Sequence, residues 1–417
     1  MRLWSVAAYL LLPYAIAGLV WRALRYPAYW RRWPERFGFV SRPTEASIVW
    51  VHAVSVGEVR SSAPLIRAIA DRLPRHRVLV TTMTPTGSEQ VYALFGERVL
   101  HSYLPYDTPG SVARFLKRVR PELAIIAETE FWPNLFHACS KRGIPLHIVN
   151  ARLSLHSFRA YMNVGRTVRA MFSSASSICA QSALDAQRLR NLGVADRLIT
   201  VTGNLKFDVE APARVREEGR ALRGRWGESR PILVAASTHP GEEEQILAAF
   251  GRLRQRYPDL LLVLVPRHPE RFGSVFRLCR RLGFETSRRS RLGAPLPATT
   301  SVLVGDTMGE LHRYYAASDL AFVGGSLVRR GGQNPLEAFA VGVPAIYGPH
   351  MFHFEEITAL SLERGAARQV PDAASLASVA TLYLEQPELR RAAGSAALSL
   401  IQDNQGALAR TLAAMDR

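Results

Sequence analysis

The sequence predicts two doubly wound α/β units, each a parallel sheet covered on both faces by helices, preceded by a separate apolar helix. Three observations carry that expectation. Short apolar strands alternate with helical patterns from residue 48 onward; the alternation stops across residues 208–230 and then resumes; and residues 3–20 contain no charge. Strand–helix alternation implies parallel strands joined by crossover helices. At 417 residues the chain is also too long for one ordinary domain.

The N-terminal element comes first. Eighteen uncharged positions lie near the lower limit for crossing a bilayer. Arg22, Arg25, Arg31, Arg32 and Arg36 follow, against the single acid Glu35. By the positive-inside rule these arginines hold the body of the chain in the cytoplasm. A cleaved signal peptide is the rival reading, and Ala15-Ile16-Ala17 resembles a cleavage site, yet the arginine cluster just beyond it opposes export. A buried helix of a soluble protein is the third. Trp21, Tyr26, Tyr29, Trp30 and Trp33 interleave with the arginines, a composition suited to the headgroup layer of an anionic membrane.

Strands are expected at 48–54, 77–82, 99–103, 123–127, 145–149, 177–180 and 198–202, with helical patterns at 87–95, 111–119 and 182–192 between them. The charged stretch 208–230, with Pro212, Gly219, Gly224 and Gly227, reads as a helix-bearing connector. Strands then return at 231–236, 260–265, 301–304, 320–323 and 344–347, and an alanine-rich helical region closes the sequence. The expected segments are therefore 1–40 (anchor and basic, aromatic interfacial stretch), 41–208 (first unit), 209–230 (connector), 231–395 (second unit) and 396–417 (C-terminal helix). Ligands of such sheets lie beyond the carboxyl ends of the strands. That rule gathers the polar turns of both units into one shared cleft.

Several of those turns bear chemistry. Glu58 follows a strand and a glycine turn in "SVGE" and opens a helix. An acid there complements the helix dipole with no further role; facing a hydroxyl, it serves as general base. Glu128 and Glu130 end another apolar strand in "ETEFWPN", and Glu128 stands nearer the strand end. Lys206 ends the last strand of the first unit and is one of three lysines in an arginine-dominated chain. It reads either as an ordinary surface lysine or as a cation facing an anionic sugar.

In the second unit, Pro266 and Arg267 follow a leucine-rich strand, and a guanidinium fork suits phosphate. Met308, Gly309 and Glu310 precede a helix, where backbone N–H groups can hold an anion. Gly331 and Gly332 permit close backbone approach before Asn334, Pro335, Leu336 and Glu337, the last suited to ribose hydroxyls.

Composition excludes other classes. With 48% hydrophobic and 21% charged residues the chain is globular. Cys139, Cys179 and Cys279, far apart and without CxxC, fit neither a disulfide framework nor a zinc site. His350, His353, Glu355 and Glu356 lack a helical HExxH arrangement, so no metal is expected. The net charge of +18 suits polyanions, but no nucleic-acid-binding pattern accompanies it, which leaves anionic lipid and phosphorylated substrates.

Taken in order, "SVGE", "TTMTPTGSE", "YLPYDTPG", "ETEFWPN", "NARLS", "GNLKFD", "STHPGEE", "LVPRHPERF", "GDTMGEL", "FVGGSLVRRGGQNPLEAF" and "GPHMFHF" resemble the 3-deoxy-D-manno-octulosonic acid (Kdo) transferases of lipopolysaccharide synthesis. The resemblance covers nearly the whole chain. It implies a GT-B fold and inverting transfer of Kdo from CMP-Kdo to the lipid A precursor lipid IVA at the inner membrane, from the cytoplasmic side and without a metal or other cofactor. Glu58 matches the family's catalytic base, and Glu128 and Lys206 match positions assigned to transition-state stabilisation. Pro266, Arg267, Met308, Gly309, Glu310 and Asn334 through Glu337 match CMP-binding positions. Gln333 stands where the family usually has histidine, and Met351 and His353 replace a usual threonine and asparagine. Two rivals share the architecture: an epimerase acting on a soluble sugar nucleotide, and a non-catalytic nucleotide-sugar sensor.

Overall fold

A computed structural model of the chain describes residues 2–41, 46–209, 213–292 and 295–416. Residues 1, 42–45, 210–212, 293–294 and 417 of the expected segments lie outside that description. Contacts divide the chain into two units, one of residues 1–208 with 405–417 and one of residues 209–404.

The first unit holds a seven-stranded parallel sheet in the order β3-β2-β1-β4-β5-β6-β7. Its strands are β1 (Ser47–His52), β2 (His76–Thr82), β3 (Val99–Tyr103), β4 (Pro121–Ala127), β5 (Leu146–Ala151), β6 (Ser177–Ala180) and β7 (Ile199–Val201). The order reverses at β1, which pairs with β2 on one side and β4 on the other, His52 lying opposite both Thr81 and Ile126. Period-two alternation sorts the side chains between two cores. Ile48 and Trp50 join one, and Val49 and Val51 the other. The buried Trp50 indole donates to Thr81 Oγ1 at 2.8 Å and meets Phe115 edge-on at 5.1 Å.

The second unit repeats the plan in the order β10-β11-β9-β8-β12-β13-β14. Its strands are β8 (Ile232–Thr238), β9 (Leu261–Pro266), β10 (Thr286–Arg288), β11 (Val302–Val304), β12 (Leu320–Val323), β13 (Ala345–Tyr347) and β14 (Ala367–Gln369). Two doubly wound parallel sheets are the GT-B architecture. β10 and β14 escape the sequence reading because each is a three-residue edge strand, Thr-Ser-Arg and Ala-Arg-Gln, without an apolar run.

Two segments lie differently from the linear reading. The helix Ala213–Trp226, within the expected connector, is an integral part of the second unit. Trp226 and Leu222 are buried there, Arg223 pairs with Asp319 at 2.9 Å, and Gly219 comes so close to Ala316 that a Cβ would clash at 2.4 Å. The expected C-terminal helix 396–417 is broken. The helix Pro387–Asn404 ends in the second unit, and after Gly406, at φ +86°, the helix Ala407–Met415 packs on the first. Asp208 fastens that return by accepting the Gly406 N–H at 2.6 Å and the Leu408 N–H at 2.5 Å.

The apolar N-terminal stretch forms one helix, α1 (Arg2–Arg25), long and apolar enough to cross a membrane by length and composition.

Candidate active site

All strands of the first sheet run in parallel, so the turns after β1, β4, β5 and β7 collect at one edge. Ser55 caps the short helix α2 (Val56–Ser61), its Oγ accepting the Glu58 N–H at 3.4 Å. Glu58 reciprocates: Oε2 accepts the Val54 N–H at 2.6 Å, and Oε1 accepts from the Ser55 hydroxyl at 3.1 Å. This is the Ser-x-x-Glu reciprocity of a capping box, shifted by one residue. Glu58 therefore holds its own turn, and its carboxylate is held in return.

Glu58 is only 9% exposed and forms no ion pair among the described residues. Burial raises its pKa to about 8, and the charges of Glu128 and Glu130 push the same way against the Val54 and Ser55 hydrogen bonds. Glu130 is raised to about 7, by burial first and by Glu128 second. Three acids thus share one electrostatic environment. A base poised near the working pH is the best compromise between being deprotonated and being basic.

Glu128 takes a left-handed backbone, φ +60°, directly after β4, with its N–H donating to Val149 O at 2.8 Å. Asn150, in the neighbouring β5, is left-handed as well, at φ +54°. Such backbone costs about 1–3 kcal/mol in a non-glycine residue and is held only where the surroundings insist. Asn150 Oδ1 accepts the Leu205 N–H at 3.0 Å, and Gln181 Nε2 donates to the Asn150 carbonyl at 2.9 Å. Asn204 Nδ2 donates to Gln181 Oε1 at 3.0 Å, and Asn204 Oδ1 caps the Lys206 N–H at 3.0 Å. A buried amide network thereby sets the half-buried Lys206 in its single 3-10 turn, Leu205–Phe207.

The matching edge of the second sheet is organised by two acids the sequence reading did not single out. Glu242, fully buried, accepts the N–H groups of Gly325 (2.7 Å), Ser326 (3.0 Å), Leu327 (3.0 Å) and His239 (3.1 Å). It shapes the glycine turn after β12, where a Cβ on Gly324 would lie 2.5 Å from Ser237 O. Glu243, also fully buried, takes both guanidinium arms of Arg271 at 2.6 and 2.9 Å.

Arg271 is thus neutralised, whereas the half-exposed Arg267 makes no side-chain hydrogen bond among the described residues; its backbone N–H donates to Thr238 O at 3.0 Å. Nearby, His239 has its pKa lowered to about 4, by burial and then by His268, Arg330, Arg267 and Arg271. The neutral ring accepts from Gln333 Nε2 at 3.3 Å, which leaves its own proton on Nδ1. Arg267 and Arg330 near that ring give a positive surface suited to an anion.

The remaining predicted positions divide into scaffold and surface. Pro266 is buried at the end of β9. The Glu310 carboxylate is taken up by Thr307, by Tyr314 OH at 2.9 Å and by Arg289 at 2.9 Å. Burial opposes its ionisation, yet those hydrogen bonds and the Arg289 charge hold it below the ordinary range. Met308 and Gly309, at φ +80°, stay exposed. The helix expected after the glycine pair is a single turn, Leu336–Phe339, with Asn334 Oδ1 accepting the Leu336 N–H at 3.1 Å. Pro335 and Leu336 are buried, and Glu337 lies 4.0 Å from His312. Gly331 and Gly332 are filled by their partners: added Cβ atoms would strike the His353 ring at 2.3 Å and Met351 Sδ at 2.2 Å. Met351 and His353 therefore act by packing the glycine pair. Among the described residues no three His, Cys, Asp or Glu side chains are placed to hold a metal ion.

Strand-end position was readable for Glu58, Glu128 and Lys206. The contributions of Glu130, Asn150, His239, Glu242 and Glu243 depend on contacts between separate turns.

Residues 31–209 match the family model described as 3-Deoxy-D-manno-octulosonic-acid transferase (kdotransferase). The chain is 42% identical over 394 residues to the 3-deoxy-D-manno-octulosonic acid transferase of Haemophilus influenzae, covering 94% of this chain and 92% of that one. It is 39% identical over 420 residues to the enzyme of the same name from Bordetella pertussis, covering 96% of each. A crystal structure of a glycosyltransferase from Rickettsia africae superposes with a TM-score of 0.55 at 14% identity, over 89% of this chain and 98% of that one, a likeness of fold alone. Identity sustained along almost the whole length, which the shared architecture alone would not give, decides between the readings: the chain belongs to the 3-deoxy-D-manno-octulosonic acid transferases and is a glycosyltransferase.

Proposed function

We propose that the enzyme moves Kdo from CMP-Kdo to lipid IVA by a single inverting displacement, at the cytoplasmic face of the inner membrane. Glu58 removes the proton from the acceptor sugar hydroxyl. The freed oxygen bonds to the anomeric carbon of Kdo as the bond from that carbon to the CMP phosphate oxygen breaks, and CMP departs with the electron pair. The Glu58 environment carries this reading: a buried carboxylate, held by Val54 N–H and Ser55, unpaired with any described cation, and raised to about 8.

Glu128 and Lys206 surround the developing charge in this proposal. Arg267, within the cationic surroundings of His239, receives the CMP phosphate, aided by the turns at Pro266, Met308–Glu310 and Asn334–Glu337. Guanidinium and backbone N–H groups then carry the leaving-group charge, so the reaction requires no metal.

The test is incubation with CMP-Kdo and lipid IVA and measurement of product mass. A lipid heavier by one or more Kdo units is expected. Consumption of CMP-Kdo with no change in the lipid would reject the acceptor.

A further inference from the structure

The two ends of α1 are anchored to the same domain. At its start, the Trp4 indole N–H donates to Asp107 Oδ2 at 2.8 Å, and that carboxylate also accepts the Asn134 and Leu135 N–H groups at 3.0 and 2.9 Å. Ser5 Oγ donates to Asn134 Oδ1 at 2.7 Å, Gly110 N–H donates to Tyr9 OH at 3.3 Å, and the Trp4 ring meets Phe131 edge-on at 4.8 Å. Near its end, Leu19 and Ala23 are buried.

The chain then runs straight into a fastened segment. Arg32 grips Glu35 at 2.7 Å and donates to His101 O at 2.8 Å, while Tyr106 N–H donates to Arg36 O at 2.8 Å. The helix rises about 27 Å from Trp4 to Arg22 at 1.5 Å per residue, yet the chain at its start and past its end is bonded to adjacent residues of one domain, Trp4 to Asp107 and Arg36 to Tyr106. In a helix that crosses the bilayer, the hydrocarbon layer of about 30 Å separates the two ends. A start bound to Asp107 cannot lie beyond that layer while Arg36, just past the helix, is bonded to Tyr106.

Exposure along the helix agrees. The less exposed positions include Trp4, Ala8, Leu12, Ile16, Leu19 and Ala23, three or four apart, and so form one stripe along the whole length. Val6, Leu10, Tyr14, Trp21 and Leu24 lie on the other side, exposed and apolar, Leu10 to 75% and Tyr14 to 82%.

We infer that α1 lies flat in one leaflet, its outer face among acyl chains and both its ends on the side of the catalytic domain. This rests on the membrane reading proposed above and deepens it. Lipid is the occupant that the flanking chemistry fits: Arg22, Arg25 and Arg31 are exposed, Arg25 covers the Trp21 ring at 3.9 Å, and Tyr26 and Trp30 stand beside them. Arginine and aromatic side chains in that mixture belong in an anionic headgroup layer. The apolar surface continues through the rings of Phe131 and Tyr161, 5.7 Å apart, to exposed Leu155 and Met162 on the helix Leu155–Asn163. Phe131 directly follows Glu130, so a leaflet in contact with α1 delivers a lipid-borne sugar close to the acidic turn.

The test uses the full chain with a cysteine-bearing tag before Met1, because Cys139, Cys179 and Cys279 are buried. A second form carries Glu388→Cys, at a highly exposed side chain of the catalytic body. A membrane-impermeant maleimide is applied to intact spheroplasts and to inside-out vesicles. Both thiols are expected to react in inside-out vesicles and to stay unlabelled in spheroplasts. Labelling of the two thiols from opposite faces would establish a spanning helix and overturn the inference, while leaving the membrane reading intact. Recovery of the chain as a soluble monomer, or as a soluble dimer closed over α1, would overturn both.

Discussion

At the carboxyl edge of the first sheet, burial first and the neighbouring acids second raise the pKa values of Glu58 and Glu130, with the Glu128 charge acting on both. At the corresponding edge of the second, His239 is kept neutral by burial and then by His268, Arg330, Arg267 and Arg271, while Glu242, Glu243 and Glu310 are consumed by hydrogen bonds and ion pairs. In the proposed function the same sheet architecture thus presents a proton acceptor in one unit and an anion receptor in the other. The difference lies less in which charges are present than in which ones the scaffold has already used. Arg271 and Arg267 are four residues apart, yet only Arg271 has a buried carboxylate partner.

The comparison breaks most severely if the acidic edge is not the chemical one. Glu58→Gln preserves the shape and an oxygen for the Val54 N–H, and is expected to lower kcat by about 10²–10⁴ while CMP affinity, measured calorimetrically, stays unchanged. Near wild-type turnover would remove Glu58 from the role of base.

Next in size is the scaffold. Arg271→Ala strands the buried Glu243 charge and should cost about 3–5 kcal/mol of stability, seen as an earlier denaturant midpoint. Arg267→Ala, by contrast, should leave that midpoint in place and weaken CMP binding by about 10–100-fold, the worth of one charge-assisted hydrogen bond. If the two variants behave alike, the division between used and available cations is wrong.

The smallest effect tests coupling within the acidic edge. With Glu58 at about 8 in the free enzyme, kcat/KM should rise with pH as its carboxylate loses its proton. Glu130→Gln removes a like charge, so Glu58 should ionise more readily and the rise should move to lower pH. An unmoved profile would uncouple the two. Stability runs the opposite way. Both folded pKa values lie above the ordinary 4.5, so the stability these groups contribute is complete below that value and is lost as pH rises toward about 8.

Much of this was legible in the sequence where the signal is local. Apolar runs such as "IVWV" and "LLVLV" announce the central strands, and the strand–turn–acid order of "SVGE" locates Glu58. The edge strands Thr286–Arg288 and Ala367–Gln369 were not legible, because an exposed edge needs no apolar alternation. Nor did Glu310 reveal itself as scaffold, since its partner Arg289 lies 21 residues away on another turn. A carboxylate's task depends on what faces it, and spacing along the chain does not encode that.

The latch at Asp208 has a consequence for biosynthesis. Its acceptors wait for N–H groups at Gly406 and Leu408, 198 and 200 positions later. A ribosome working at about 5–20 residues per second needs about 10–40 s to supply them. Throughout that interval the earlier half of the polypeptide carries an unsealed apolar flank, where Ala407 will later pack, and the first unit closes only when translation delivers its lid.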